Sequence, residues 1–264
     1  MGSYEDFALV YDIFQDNVDY EAWACYIRKK LKKYGIEDGL VLDLGCGTGT
    51  MTELLADYGF DMIGVDMSEE MLLAASEKRA RSGHNILYLM QDMTEFELYG
   101  TVRAVVSVCD SLNYLLEEEE LLETFRLVNN YLDPGGIFIF DMNTVHKYRD
   151  VLGSTTIAEN REEGSFIWEN DYDGESMVNE YDLTLFLPRP DGLFEKSEEI
   201  HLQRAYPRDT VCRLLCESGM RVLEVREAYT DAEPGEDSER ITIIAQEHGK
   251  DSSALGAEPS GGIQ

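Results

Sequence analysis

The chain has 264 residues, 44% of them hydrophobic, and carries 53 acidic against 22 basic side chains, a formal charge of −31 at pH 7. That is apolar material for one sizeable domain with an insertion. The charge argues against nucleic acid and against an acidic membrane surface, since both demand a basic footprint, and it favours a cationic small molecule.

In chain order, the first feature is an aromatic-rich start: Tyr4, Phe7, Ala8, Tyr11, Asp12, Phe14, Tyr20 and Trp23, on what the pattern predicts to be two short helices. Such a stripe packs against a core. Arg28-Lys29-Lys30 and Lys32-Lys33 follow on one helix as a solvated face. Leu40, Val41 and Leu42 form a short apolar run without alternation, the pattern of a buried parallel strand. It leads into Asp43-Leu44-Gly45-Cys46-Gly47-Thr48-Gly49, and Met51, Leu54 and Leu55 then share one helical face. Strand, glycine turn and helix make the first unit of a nucleotide-binding α/β fold, where glycines let the backbone turn sharply and approach a ligand.

The glycine spacing departs from the dinucleotide fingerprint. That pattern wants its third glycine where Thr50 stands, and here the third glycine comes one residue early, at Gly49. Asp61 to Asp66 reads as a second strand ending in a carboxylate roughly 20 residues past the turn, the separation at which an acid accepts from a ribose diol. Ser68 caps the next helix, with Glu69 and Glu70 in its first turn. Ile86 to Met90 is a third strand ending at Gln91-Asp92-Met93, and Val102 to Val108 a fourth, leading into Cys109-Asp110-Ser111-Leu112-Asn113-Tyr114. The run Glu117 to Glu120 suits a helix start.

Leu121, Leu122, Phe125, Val128 and Leu132 predict a helix stopped by a turn at Asp133-Pro134-Gly135-Gly136, before a fifth strand, Ile137 to Asp141. Phe166 to Asn170, Met177 to Phe186 and Glu198 to Tyr206 read as antiparallel strands joined at Gly174 and Gly192. A helix from Arg208 to Ser218 and strands at Met220 to Val225 and Arg240 to Gln246 close the pattern, the last as an antiparallel edge. The expected class is α/β, a doubly wound, mostly parallel sheet with an inserted antiparallel β layer. Its expected parts are an N-terminal helical cap (1–36), a cofactor-binding core (37–150), a β lid (151–206), the rest of the core (207–247) and a disordered tail (248–264).

Asp-x-Gly-x-Gly-x-Gly, the carboxylate of Asp66 with Ser68-Glu69-Glu70-Met71-Leu72 after it, and the acid after the third strand together resemble class I S-adenosylmethionine-dependent methyltransferases. Tyr11-Asp12 with Tyr20 and Trp23, and the long insertion with Trp168-Glu169-Asn170 and His201-x-Gln203-Arg204-x-Tyr206, resemble the small-molecule members, the sugar and glycine-type N-methyltransferases. The resemblance implies S-adenosylmethionine bound by Asp43 and, at its methionine end, by the backbone of Gly45, Cys46 and Gly47. It implies the ribose on Asp66, the adenine against Met67, Gln91, Asp92 and Met93, and Tyr11, Trp23 and Cys109 about the methyl end. The implied reaction is methyl transfer to a small molecule, nitrogen preferred over oxygen. An O-methyltransferase, a non-catalytic S-adenosylmethionine-binding module and an NAD-dependent oxidoreductase are the alternatives; the glycine spacing and Asp43 count against the last.

Methyl transfer from a sulfonium needs no metal, only alignment and a nucleophile with a free lone pair. Candidate bases are His146, after the fifth strand, and His201 in the insertion, while Tyr11 and Tyr114 could orient the acceptor. Five cysteines, an odd number without framework spacing, suit a reducing cytoplasm. Cys212 and Cys216, one helical turn apart, read as ordinary thiols. Neither a membrane-spanning run nor a signal-peptide pattern is present. The acceptor's identity and the oligomeric state are not written in the sequence.

Overall fold

In the computed structural model, which describes residues 11–15 and 18–250, the apolar run before the glycine turn is strand β1 (Leu40–Leu44), almost wholly buried. It pairs in parallel with β2 (Asp61–Asp66) and β4 (Val102–Ser107), so that Asp43 stands opposite Gly64 on one side and Val106 on the other. β3 (Leu87–Met90) lies beyond β2, and β5 (Leu132–Asn143) beyond β4, both parallel. The chain then leaves this sheet for four antiparallel strands, β6 (Thr156–Asn160), β7 (Ser165–Asp173), β8 (Val178–Pro188) and β9 (Phe194–Arg204), paired in sequence order. It returns as β10 (Met220–Glu227) and β11 (Arg240–Glu247), with β11 antiparallel to both β5 and β10. The large sheet has the order β10-β11-β5-β4-β1-β2-β3. This is the doubly wound α/β architecture, with carboxyl strand ends forming one ligand-binding edge.

Helices cover both faces: α1 (Tyr11–Phe14), α2 (Tyr20–Lys33), α3 (Thr50–Asp57), α4 (Glu69–Ser82), α5 (Glu118–Tyr131) and α6 (Arg208–Glu217). β5 shows how the core divides, because successive strand side chains point to opposite faces. Ile137 and Ile139 pack with Ile27 and Leu31 of α2 and with Met51 and Leu55 of α3. Phe138 and Phe140 pack on the other side with Leu121 and Phe125 of α5 and with Leu214 and Leu215 of α6. Each such side chain, fully buried, contributes roughly 1.5–3 kcal/mol.

Three local expectations change. The second N-terminal helix is not short, since α2 runs for 14 residues with Asp19 capping it through the Ala22 N–H. Asp133-Pro134-Gly135-Gly136 is not a separate turn after the helix. Val102 pairs with Leu132 and Ala104 with Ile137, so those four residues bulge from β5 opposite Arg103, with Gly135 at φ +75. β6 was not foreseen: it is an edge strand, mostly exposed, with no apolar alternation to announce it. Tyr4, Phe7 and Ala8, and the tail from residue 251, lie outside the described residues.

The small sheet packs through β9 against the carboxyl edge of the large one. Asn113 donates to the Arg204 carbonyl at 2.8 Å and Gln203 donates to Asp110 at 2.8 Å. Phe14 of α1 packs edge-on against Phe166 of β7. Thus α1 and the small sheet share one apolar cluster above the edge, with Leu183 and Leu185. No helix of the described residues is long and apolar enough to cross a membrane.

Candidate functional site

The turn after β1 is built by backbone conformations that need glycine. Gly45 and Gly47 sit at φ +77 and +53, and a Cβ on Gly45 would stand 2.8 Å from the Ser111 side chain. Gly49, also at φ +77, serves packing instead: a Cβ there would collide with the Tyr88 hydroxyl and press on Ala75 of α4. That explains a third glycine one residue earlier than the dinucleotide pattern wants. Gly49 is the N-cap of α3 and has no side chain to cap it, which leaves the first turn of the helix suited to an anion.

Above this turn opens a cavity of about 400 Å³, walled by the ends of β1, β2 and β4, the start of α4, and Tyr11 and Tyr20 from the N-terminal helices. Asp66 stands in its wall with both carboxylate oxygens engaged. One accepts the Gly47 N–H at 2.8 Å, the other the Ser68 N–H at 2.9 Å. Burial pushes its pKa up, against the lowering effect of those amides. A carboxylate so fixed keeps lone pairs for a ribose diol. Beyond it, Met67 and Met90 are largely exposed and, with Gln91 and Met93, line the same end, a flexible apolar surface suited to a flat ring.

Of the residues singled out from sequence, Tyr11, Gly45, Cys46, Gly47, Asp66, Met67, Gln91, Met93 and Cys109 all line this cavity. The loop contacts differ from expectation: Gly45 and Cys46 give their N–H groups to the Val65 carbonyl, and Gly47 gives its own to Asp66. Trp23 is not in the lining; it stacks on Tyr229 at 4.0 Å and lies against Arg240. Asp92 spends its carboxylate on the N–H and hydroxyl of Thr94, both at 2.8 Å. His146 pairs with Asp150 at 3.0 Å away from the cavity. His201 is buried behind Tyr114, 3.4 Å from its hydroxyl.

The lining also includes Tyr20, Thr48, Ser111 and the Ser68–Met71 stretch, which belong to the sequence motifs but were given no cofactor contact there, and Thr50. Ser68 is the helix cap that the sequence predicts, accepting the Met71 N–H at 3.2 Å. Asp12, quoted in sequence only as part of the Tyr11-Asp12 motif, has a structural task. It accepts from Thr48 at 2.6 Å and pairs with Lys78 at 2.6 Å, tying α1 to the glycine turn and to α4.

The part of the wall formed by Cys109 is held by a buried carboxylate. Asp141 accepts the N–H groups of Cys109 and Asp110, at 2.9 and 2.7 Å, and is bonded by Tyr229 and Arg240. Cys109 and Asp110 both occupy positive φ, +57 and +52. Such strain costs roughly 1–3 kcal/mol per residue and persists because Asp141 holds both amides. Burial pushes the Cys109 thiol up to about 12 and the Cys46 thiol well above its usual value. Both are neutral walls rather than nucleophiles.

Asp43 lies wholly buried beneath the turn, outside the lining, and accepts the Thr52 hydroxyl at 2.6 Å. Burial pushes its carboxyl up to about 7, opposed by the Thr52 bond and aided by Asp66. An acid raised in the folded state binds its proton more tightly folded than unfolded. Its contribution to stability is therefore full near pH 4 and falls by about 1.4 kcal/mol per unit until pH passes about 7. Asp43→Asn removes this slope. Its melting temperature relative to the parent should rise between pH 5 and pH 8, by the equivalent of about 2 kcal/mol. A difference that stays constant with pH would contradict the assignment.

A family model described as "Methyltransferase domain" matches residues 41–136, the span from β1 to the bulge in β5. A protein of Geobacillus sp. (strain WCH70) named "Putative methyltransferase" is 38% identical over 245 residues, covering 92% of this chain and 99% of its own length. The crystal structure of an S-adenosylmethionine-dependent methyltransferase from Clostridium acetobutylicum ATCC 824 superposes with a TM-score of 0.85 at 29% identity, covering 93% of this chain and 99% of that one. A dTDP-3-amino-3,4,6-trideoxy-alpha-D-glucopyranose N,N-dimethyltransferase of Streptomyces venezuelae is 35% identical over 138 residues, 52% of this chain and 56% of its own.

Proposed function

The chain belongs to the S-adenosylmethionine-dependent methyltransferases, and from that premise we propose that it methylates the nitrogen of a small, cationic acceptor. The observation that carries this reading is the sign of the cavity wall. Among the described residues that line it, Asp66, Glu69 and Glu70 are acidic and none is Lys, Arg or His. A wall of one sign, in a protein of charge −31, concentrates positive ligands. The amino-sugar chemistry in the Streptomyces relative's name is of this kind.

S-adenosylmethionine supplies a methyl group already activated by its sulfonium, so the protein's work is binding, alignment and exclusion of water. The ribose would sit on Asp66, the adenine between Met67 and Met93, the methionine carboxylate at the start of α3, and the ammonium on the carbonyls of the glycine turn. Tyr11, Tyr20, Cys109 and Tyr114 would then surround the acceptor end. Tyr11 belongs to α1, which the cluster of Phe14, Phe166, Leu183 and Leu185 ties to the small sheet.

The test uses methyl-labelled S-adenosylmethionine with three acceptor panels: amino sugars, glycine-type amino acids and hydroxylated aromatics. Label is expected in N-methyl products of the first two. Label confined to O-methyl ethers would overturn the nitrogen reading. Binding without transfer to any panel would favour a non-catalytic module.

A further inference from the structure

A chain of three side chains leads away from the cavity wall at Tyr114, and the binding of the methyl donor does not use it. Tyr114 closes the short 3₁₀ turn Ser111–Tyr114 after β4 and lines the cavity. Its hydroxyl is 3.4 Å from Nδ1 of His201. Nε2 of His201 is in turn 3.2 Å from Oε2 of Glu199. His201 and Glu199 lie two residues apart on β9, so both point to the same face, and both are buried, 4% and 9% exposed.

We infer that Tyr114, His201 and Glu199 form a relay that accepts the proton of the acceptor nitrogen. This rests on the reading of the site as one for an amine. A carboxylate accepts only, so Glu199 fixes the His201 tautomer with hydrogen on Nε2 and a lone pair on Nδ1. Tyr114 then donates its O–H to Nδ1 and turns oxygen lone pairs toward the cavity. The long Tyr114–His201 contact is of the kind that tightens when substrate fills a site.

The step balances without a co-reactant. The protonated acceptor gives its hydrogen to Tyr114 Oη as the tyrosine's own hydrogen passes to His201 Nδ1, leaving an imidazolium beside Glu199. The freed lone pair forms the nitrogen–carbon bond while the carbon–sulfur bond breaks, its electrons going to sulfur; the imidazolium afterwards returns its proton to solvent. Tyr114 is the catalytic residue, and His201 and Glu199 act through it. Tyr11 and Tyr20 are engaged elsewhere: they are hydrogen-bonded to each other, and the Tyr20 hydroxyl lies 3.3 Å from the Cys109 sulfur.

Binding of two cofactor analogues tests the relay without knowledge of the acceptor. Sinefungin carries an amine on the carbon that replaces the methylsulfonium; S-adenosylhomocysteine carries nothing there. Titration calorimetry at pH 7 should show the parent protein preferring sinefungin by about tenfold, the value of one charge-assisted hydrogen bond. Tyr114→Phe and His201→Gln should each reduce that preference to near unity while S-adenosylhomocysteine affinity stays within about twofold. A parent without the preference, or variants that retain it, would overturn the relay. Should either variant lose S-adenosylhomocysteine binding altogether, Glu199→Gln decides by the same ratio. Failure of the parent to bind S-adenosylhomocysteine would instead remove the methyl-transfer reading, so the two failures are distinct.

Discussion

Asp66→Ala is expected to weaken S-adenosylmethionine binding by about a hundredfold, measured by titration calorimetry. Hydrogen bonds to a charged group contribute roughly 1.5–3 kcal/mol each, and a diol can offer two; about 3 kcal/mol net is a hundredfold. The structure adds a second consequence. Because Asp66 also accepts the N–H groups of Gly47 and Ser68, the alanine leaves two partly buried amides without their acceptor. The unliganded protein should therefore lose about 1–3 kcal/mol of stability, seen as a lower melting temperature. The two effects separate by temperature: affinity is read at 10 °C, well below the melting transition, where loss of stability does not enter. Unchanged affinity there would remove the ribose assignment.

The place of Asp66 in the cavity wall was legible in sequence because every part of it is local: a strand, a glycine turn and an acid at a fixed separation. The same holds for Gly45, Gly47 and the Met67 and Met93 side chains. Gly49 was legible as an anomaly, and only packing under Tyr88 explains it. Other features depend on residues distant in sequence. Asp12 meets Lys78 and Thr48 because α1 folds back over the glycine turn, and no spacing rule signals that. Trp23 looked like a ligand aromatic, but Tyr229, held at φ +53 across the sheet, takes its face. Asp92 looked like an adenine acceptor, but it lies next to Thr94 in a tight turn, and a local hydroxyl and amide claim it first. Of the two histidine candidates, sequence position could not rank them; burial and the Tyr114 contact do.

Glu224→Leu is expected to remove roughly 3–5 kcal/mol of stability, the loss typical when one partner leaves a buried ionic cluster. Glu224 on β10 is buried and accepts from Lys30 at 2.8 Å, Lys33 at 2.6 Å, Tyr34 at 2.5 Å and Arg226 at 3.0 Å. Lys30, only 2% exposed, keeps Asp231 at 2.8 Å, but a cluster of three cations loses its central anion. Lys30→Met should cost less, because Glu224 retains three donors. The double variant should recover part of the loss, since no buried charge then lacks a partner. For Glu224, burial pushes the pKa up, but Lys30, Lys33, Tyr34 and Arg226 together hold it well below the usual range. A depressed acid stabilises above its unfolded pKa, about 4.3, and loses that contribution as pH falls below it. Urea unfolding should accordingly show the parent and Glu224→Leu far apart at pH 7 and converging at pH 3. The consequence reaches the site, because α2 is the helix moored by this cluster and Tyr20 begins it, 3.3 Å from Cys109 in the cavity wall. Loss of the mooring should thus also weaken cofactor binding, although Glu224 is not in the cavity lining. A variant within about 1 kcal/mol of the parent at pH 7 would show that the cluster is a solvated surface network, and that α2 is held by its apolar face alone.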